Sequence, residues 1–196
     1  MGREFELKYA ATPEILAVLA EKFPGLASIS METAYYDTPG GALGKLHWTL
    51  RRRMENGRSV CTVKTPLPGR GRGEWETECA AIADAVPILC ALGAPAELVN
   101  LTAGGLTEVC AARFTRLAAK AALPECTVEL ALDKGFLLGG GKELPFTEVE
   151  VELKEGTEEA AVVFAQKLAQ EYSLTPEPAS KYKRALSLTQ IGRAHV

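Results

Sequence analysis

The chain has 196 residues, of which 47% are hydrophobic, and its 22 basic and 25 acidic residues give a net charge of −3. This size favours one compact domain, and so small a net charge gives no global indication of a nucleic acid or an anionic membrane as partner. We expect neither secretion nor membrane insertion, because there is no basic-then-apolar leader and no apolar run of the roughly 18 residues that a spanning helix needs.

The cysteines are scattered along the chain, and none forms a CxxC pair. They are Cys61, Cys79, Cys90, Cys110 and Cys126. An odd number of widely spaced thiols is typical of reduced, buried cysteines that act as small hydrophobic residues. This usage favours a cytoplasmic protein.

The last six residues, Ile191 to Val196, resemble the translation of a sequencing adapter. We therefore predict one folded unit over residues 1–190 and a non-native tail over 191–196, with the native coding sequence continuing past Gln190. His195 lies in this tail and receives no role.

In the first half of the chain, the alternation of apolar and polar side chains predicts mainly strands. Charged Glu4, Glu6 and Lys8 alternate with apolar residues, and Asn56-Gly57 is a strong hairpin turn sequence. The predicted elements are a strand over 3–10, a helix over 13–22 capped by Thr12, strands over 28–37, 46–54 and 58–64, a loop over 66–73, a strand over 73–80, and two short helices within 84–106.

The second half repeats this pattern and then ends in helices. The predicted elements are a long strand (alternatively a helix) over 108–119, a strand over 126–133, a turn at Lys134-Gly135, a turn over 139–141, a strand over 144–154, a helix over 157–172 capped by Thr157, and a short helix over 180–188. About eight sequential strands with flanking helices favour an α+β fold with a closed antiparallel eight-stranded barrel.

Rows of charge recur on alternate positions of several predicted strands. If these rows face water, the apolar rows fill an ordinary barrel core. If they face inward, the barrel is a charged tunnel whose apolar exterior is covered by helices. The alternation alone does not choose, but the number of charges of both signs in register favours the tunnel.

The charged strands resemble, in order, the motifs of the CYTH domain, the triphosphate tunnel metalloenzyme family. The matching segments are Glu4 to Lys8 (ExExK), Tyr36-Asp37-Thr38 (YxDT), Leu50 to Arg53 (LRxR), Thr62 to Thr65 (TxK), Arg72 to Glu76 (RxExE), Glu129 to Gly135 (ELALDxG), Phe146 to Lys154 (the acidic ExExELK strand) and Ser180 to Arg184 (SKxxR). The resemblance spans residues 3 to about 188, and the sequences of these motifs are most similar to those of the bacterial inorganic triphosphatase branch.

The resemblance implies a site that binds a metal-bound polyanion, because arginine forks match phosphate oxygens and carboxylates suit Mg²⁺ or Mn²⁺. The implied substrate-binding cations are Lys8, Arg51, Arg53, Lys64, Arg113, Arg116 and Lys181. The implied metal ligands are Glu4, Glu6, Glu148 and Glu150, and the catalytic set is Glu6, Lys8, Arg53 and Glu150. Secondary candidates are Glu74, Glu76, Glu129, Asp133 and Glu152. A one-residue shift of the strand over 108–119 would turn either Arg113 or Arg116 outward.

The function implied by the resemblance is metal-dependent hydrolysis of inorganic triphosphate (tripolyphosphate) to pyrophosphate and phosphate. One metal would orient the substrate and a second would help to activate water. The partner would be inorganic triphosphate or polyphosphate, without nucleic acid or membrane, and members of this branch often carry a CHAD domain after CYTH. The alternatives are a nucleoside or thiamine triphosphatase, a class IV adenylate cyclase, and a non-catalytic polyphosphate-binding module. Leu144-Pro145-Phe146 replaces the LGxF of some relatives, which disfavours the cyclase and the thiamine triphosphatase.

Overall fold

A computed structural model describes residues 2–68 and 72–190, so the predicted tail over 191–196 and the centre of the predicted loop over 66–73 lie outside the described residues. The strands in these ranges are β1 (Gly2–Glu4), β2 (Glu6–Ala10), β3 (Ala27–Asp37), β4 (Thr49–Glu55), β5 (Arg58–Pro66), β6 (Arg72–Glu78), β7 (Thr107–Ala122), β8 (Cys126–Gly139), β9 (Lys142–Gly156) and β10 (Thr175–Pro176). The helices are α1 (Pro13–Lys22), α2 (Ala42–Lys45), α3 (Ile82–Ala91), α4 (Glu97–Thr102), α5 (Glu158–Glu171) and α6 (Lys181–Gln190).

Within these ranges the strands form one antiparallel sheet with the order β1-β6-β5-β4-β3-β7-β8-β9-β2-β10. The predicted closed eight-stranded barrel is therefore wrong, although the antiparallel sheet and its flanking helices are present. The ladder stays open because the N-terminal segment divides at Phe5: β1 pairs with β6 near one edge, and β2 pairs with β9 near the other. The second edge of β2 pairs with the short β10 instead of with β6.

Local sequence features explain several of the element boundaries. The hairpin predicted at Asn56-Gly57 is confirmed between β4 and β5, and both residues have the positive φ angles, 49° and 85°, of a type I′ turn. The predicted caps of α1 and α5 are also confirmed. The hydroxyl of Thr12 accepts a hydrogen bond from the Ile15 amide, and the hydroxyl of Thr157 accepts one from the Ala160 amide, each at 3.3 Å.

The turn predicted at Lys134-Gly135 is wrong, because β8 continues through these residues to Gly139. Gly135 pairs with Phe114 of β7, and the two backbones approach closely at this point. A Cβ atom at Gly135 would lie 2.2 Å from the carbonyl oxygen of Arg113 and 2.5 Å from the Cα of Phe114. The glycine is thus required by a close backbone approach inside a strand and does not mark a turn.

We expect Gly135→Ala to lower the free energy of unfolding by about 2 kcal/mol, because the new methyl group meets backbone atoms that cannot move aside. Urea unfolding followed by circular dichroism measures this change. Gly104→Ala is the matched control, since a Cβ atom there meets nothing within 4 Å. Equal unfolding midpoints for the two variants would contradict the close approach of β7 and β8.

The two faces of the sheet differ in what covers them. On the outer face, α1 and α5 pack over an apolar cluster that includes Leu19, Val149 and Val151. A second outer cluster, around Val63 and Leu89, lies beneath α3 and α4. Because side chains alternate along a strand, Glu148 and Glu150 point to the opposite, inner face. The structure therefore places the charged rows inside, which is the choice that the alternation left open.

Helix α6 packs on the inner face, at one end of the sheet. Its Ala185 and Leu188 are buried against Phe114, Leu137 and other apolar side chains that point inward from β3, β7, β8 and β9. The apolar half of α6 thus fills this end of the concave face, while its first residue, Lys181, lies where the apolar packing meets the charged rows. In the described part of the chain, none of the helices is long and apolar enough to cross a membrane.

Candidate functional site: a charged cavity inside the sheet

A cavity of about 650 Å³ lies on the inner face, and every strand from β1 to β9 contributes a lining side chain. Among the described residues, eight acidic and eight basic side chains line it. The acidic ones are Glu4, Glu6, Glu55, Glu74, Glu76, Glu129, Glu150 and Glu152, and the basic ones are Lys8, Arg51, Arg53, Lys64, Arg72, Arg116, Lys154 and Lys181. Since so many neighbouring strands face one space, the open sheet must wrap around it.

The strand register places acidic and basic rows side by side. In the β2–β9 ladder, Glu6 lies opposite Glu152 and Lys8 lies opposite Glu150. Alternation keeps each of these residues on the inner face, because they are separated by even numbers of positions. The N-terminal ExExK segment and the acidic strand β9 therefore form one continuous, mostly acidic wall.

A basic wall lies on β4 and β7, where Arg51, Arg53 and Arg116 come close enough to repel one another. Burial, together with the charges of Arg51 and Arg116, lowers the pKa of Arg53 to about 10. The Nη1 atom of Arg53 lies 3.5 Å from a carboxylate oxygen of Glu55, and its Nε atom donates a hydrogen bond to the hydroxyl of Thr33 at 3.2 Å. Among the described residues, the buried Nε atom of Arg51 has no hydrogen-bond partner, and its Nη2 atom lies 3.7 Å from the carboxylate of Glu74. Arg116 is paired with Asp133 and Glu150, so the negative charge that this wall lacks is at Arg51 and Arg53.

The acidic wall has the opposite deficiency, which is greatest at Glu6. Burial and the neighbouring carboxylates of Glu150 and Glu4 raise the pKa of Glu6 to about 7. Among the described residues its ion-pair contact is loose, with 3.7 Å between its carboxylate and the Lys8 ammonium. Glu4 differs, because burial acts to raise its pKa but the ion pair with Lys64, together with the charges of Arg51 and Arg72, outweighs burial and lowers the pKa. A divalent cation with carboxylate ligands would relieve the repulsion around Glu6, so these residues fit a metal ion.

Beneath the cavity lies a buried ionic cluster that ties α6 to the sheet. Asp133 and Glu148 have no exposed surface, and together with Glu150 they bring three carboxylates within 4.8 Å of one another, an arrangement that could hold a metal ion. The Lys181 ammonium contacts all three carboxylates, at 2.8 Å from Asp133 and 2.7 Å from Glu150. Arg116 and Arg184 supply two further positive charges. Three cations therefore balance the three carboxylates.

The structure brings most of the sequence-predicted site residues to the cavity surface. Those that line it are Glu4, Glu6, Lys8, Arg51, Arg53, Lys64, Arg116, Glu150 and Lys181, with Glu74, Glu76, Glu129 and Glu152 of the secondary set. Asp133 and Glu148 are on the inner face but lie below the lining surface, in the buried cluster.

Arg113 is not brought to the cavity. It is exposed on the opposite face of β7 from Arg116, and its guanidinium lies 3.6 Å from the carboxylate of Glu143. The separation follows from alternation, because residues three positions apart in a strand point to opposite faces. Substrate binding by Arg113 was predicted from the sequence, and its position outside the cavity does not support that role.

Two further cations, Arg72 and Lys154, line the cavity and are not among the site residues predicted from the sequence. The Nη2 atom of Arg72 donates a hydrogen bond to the carbonyl oxygen of His47 at 3.1 Å, and the Lys154 ammonium lies 2.8 Å from the carboxylate of Glu152. Both could have been found, since Arg72 shares the alternate positions of Glu74 and Lys154 continues the row of Glu152.

An antiparallel sheet wrapped around walls of opposite charge has the side chains to hold a multiply charged anion together with a cation. The CYTH domain model matches residues 2–186, and the chain belongs to the CYTH domain family. The chain is 28% identical over 195 residues to the inorganic triphosphatase of Haemophilus influenzae. The match covers 96% of this chain but 55% of that protein, so the chain spans about half the length of this relative.

Solved structures share the fold at lower identity. PH1819 from Pyrococcus horikoshii is 24% identical with a TM-score of 0.64, and the match covers 94% of this chain and 99% of that one. HpAC1 from Hippeastrum, an adenylyl cyclase candidate described as having a dominant triphosphatase activity, is 17% identical with a TM-score of 0.68. That match covers 97% of this chain and 96% of the plant protein. At these identities the likeness shows the fold.

Proposed function

We propose that this protein hydrolyses inorganic triphosphate to pyrophosphate and phosphate, with Mg²⁺ or Mn²⁺ bound in the cavity. The observation that carries this proposal is the pair of incompletely neutralised walls, one around Arg51 and Arg53 and the other around Glu6. A metal-bound polyphosphate supplies both missing charges at once. The similarity to the triphosphatase of Haemophilus influenzae supports the same substrate.

Basic and acidic side chains have different roles, the basic ones binding the anion and the acidic ones the metal ion. Arg51, Arg53 and Arg116 hold phosphoryl oxygens and stabilise the charge that spreads over them as the terminal phosphoryl group leaves. Lys8 and Lys64 lie next to Glu6 and Glu4 and can contact the anion on its metal side. Keeping these groups fixed in a partly enclosed cavity orients the substrate before the reaction begins.

Glu4, Glu6 and Glu150 would hold the divalent cation, with Glu152 beside them. Glu148 is less suited, because it has no exposed surface and lies below the cavity lining, whereas Glu150 lines the cavity although it also contacts Lys181 and Arg116. A bound divalent cation supplies electrophilic activation of the phosphoryl group and of the attacking water. We also propose a cytoplasmic location, since all five cysteines are free thiols and three of them are buried.

Phosphate release from tripolyphosphate, ATP and thiamine triphosphate, measured with Mg²⁺ and with Mn²⁺, tests the proposal. We expect tripolyphosphate to have the largest kcat/KM and expect EDTA to abolish the reaction. A preference for ATP or thiamine triphosphate would replace the proposed substrate. Tripolyphosphate binding without turnover would indicate a binding module in place of an enzyme.

The two arginines of β7 provide a test of the site within one strand. We expect Arg116→Ala to lower kcat/KM for tripolyphosphate about 100-fold, because a phosphate-facing cation is lost. Arg113→Ala should leave kcat/KM within about twofold, as expected for an exposed residue away from the cavity. Circular dichroism spectra establish that both variants are folded. The reverse order of effects would place the anion site on the other face of the sheet.

A further inference from the structure

We propose that Asp133 is a positioning residue that sets the orientation of Arg116 and Lys181 for phosphate binding, and that it is not a metal ligand. This inference rests on the proposed function, because Arg116 and Lys181 are among the cations that would meet the substrate. Asp133 itself lies below the cavity surface and would act through these two side chains.

The contacts of Asp133 fix the plane of the Arg116 guanidinium. One carboxylate oxygen accepts from Nε and the other accepts from Nη2, both at 2.8 Å. This side-on, two-point contact removes the freedom of the guanidinium to turn. Since Nε and Nη2 form one edge of the group, the other edge, with Nη1, faces away from Asp133.

The same carboxylate also holds the first residue of α6. The Lys181 ammonium lies 2.8 Å from the Asp133 oxygen that Arg116 Nη2 contacts. Lys181 and Arg116 both line the cavity, and Asp133 has no exposed surface. One buried carboxylate thus controls two cavity cations that come from different elements, β7 and α6.

The sheet register builds this arrangement directly. In the ladders of β7, β8 and β9, Arg116 lies opposite Asp133, and Asp133 lies opposite Glu148. Directly opposed side chains on one face are close enough to interact even when the side chain is as short as that of aspartate. The close approach of β7 and β8 at Gly135, two residues further along, keeps the two strands in this alignment.

The charge balance argues against a metal ion among these carboxylates. Asp133, Glu148 and Glu150 are matched by Lys181, Arg116 and Arg184, so a divalent cation would enter a group that is already neutral. It would also have to displace the ammonium of Lys181, which is the first residue of the packed helix α6. Breaking a buried ion pair on one side is strongly unfavourable. Glu150 shares this constraint, so the cation in the cavity would be held mainly by Glu6, whose ion pair with Lys8 is loose at 3.7 Å.

Asp133→Asn in the full chain tests the positioning role. We expect kcat/KM for tripolyphosphate to fall about 10- to 100-fold, as is usual when the partner of a ligand-binding group is lost. In an Arg116→Ala background, the same substitution should cost less than about threefold, because its main route of action is already removed. Mn²⁺ affinity, measured by calorimetry in the absence of substrate, should stay within about twofold.

Glu148→Gln is the matched control, since Glu148 is equally buried, belongs to the same cluster and contacts Lys181 and Arg184 but not Arg116. Because it reaches Arg116 only through other members of the cluster, its coupling to Arg116→Ala should be clearly smaller than that of Asp133→Asn. An unchanged kcat/KM for Asp133→Asn, an equal loss in the Arg116→Ala background, or a tenfold loss of Mn²⁺ affinity would each overturn the proposal.

A measurement on the unsubstituted protein covers the case in which Asp133→Asn does not fold. The Arg116 Nε–H resonance, assigned by its disappearance in Arg116→Lys, should exchange slowly with solvent because it is buried and bonded to Asp133. Rapid exchange would overturn the positioning role.

Failure of the proposed triphosphatase function can be distinguished from failure of the positioning role of Asp133. If the protein binds tripolyphosphate without hydrolysing it, calorimetry on the parent and on Asp133→Asn still measures positioning, with about tenfold weaker binding expected for the variant. A protein that neither hydrolyses nor binds tripolyphosphate would overturn both proposals.

Discussion

Replacing Arg53 with leucine should stabilise the ligand-free protein and at the same time remove most of its tripolyphosphatase activity. Arg53 is buried next to Arg51 and Arg116, and both burial and this repulsion lower its pKa to about 10. A leucine removes that unfavourable charge, and we expect a gain of about 1 kcal/mol in unfolding free energy. In a chain of this length such a gain raises Tm by about 2–4 °C. The same substitution should lower kcat/KM about 100-fold or more, because a phosphate-facing cation is lost.

Thermal unfolding and phosphate-release assays on the same samples measure the two effects. Arg113→Leu serves as the control, since Arg113 is an exposed arginine of the same sheet that lies outside the cavity. It should change stability by no more than about 0.5 kcal/mol and leave turnover unchanged. A destabilised Arg53→Leu protein would mean that Arg53 is held by compensating interactions, and the basic wall would then not be short of negative charge.

Glu6→Gln should lower kcat for tripolyphosphate hydrolysis about 100-fold and weaken Mn²⁺ binding about tenfold, because the least neutralised carboxylate of the acidic wall is lost. Glutamine keeps the shape of the side chain but offers a much weaker metal ligand. The fold should be retained, since the substitution relieves repulsion from Glu150 and Glu4.

The metal affinity is measured by calorimetry and the turnover by phosphate release. Glu143→Gln is the control, because it removes an exposed carboxylate from an arginine pair outside the cavity. Equal phosphate release by Glu6→Gln and the parent protein would remove Glu6 from the metal site.

Local sequence rules predicted the individual elements well, because their causes are local. Asn56-Gly57 supplies two residues that tolerate positive φ, and the caps Thr12 and Thr157 act on amides three residues away. Gly135 shows the limit of this approach. A glycine after a charged residue resembles a turn, whereas the real requirement is the backbone of β7, which the local sequence does not reveal.

Closure of the sheet depends on pairing between distant segments and could not be derived from alternation. The break at Phe5 leaves the β1 and β2 residues in the same alternating pattern that an unbroken strand would have. The pairing of β2 with Thr175–Pro176 joins segments far apart in the chain, and no periodicity marks so short a strand. An open sheet and a closed barrel are therefore equally compatible with the sequence pattern.

The site was predictable to the extent that alternation and motif order determine which side chains face inward. The opposite placement of Arg113 and Arg116 follows from their odd spacing, but choosing between them needs the register of β7 against β8. The burial of Asp133 and Glu148 beneath the cavity could not be anticipated, because it depends on how α6 packs on the inner face.

We propose that one cavity holds a divalent cation on its acidic wall and a triphosphate on its basic wall. A crystal structure with Mn²⁺ and imidotriphosphate, a hydrolysis-resistant analogue, tests it most directly through the anomalous signal of the metal. We predict manganese beside Glu4, Glu6 and Glu150, with phosphoryl oxygens on Arg51, Arg53 and Arg116. Manganese between Asp133 and Glu148 with Lys181 displaced, or an analogue bound outside the sheet, would contradict this arrangement.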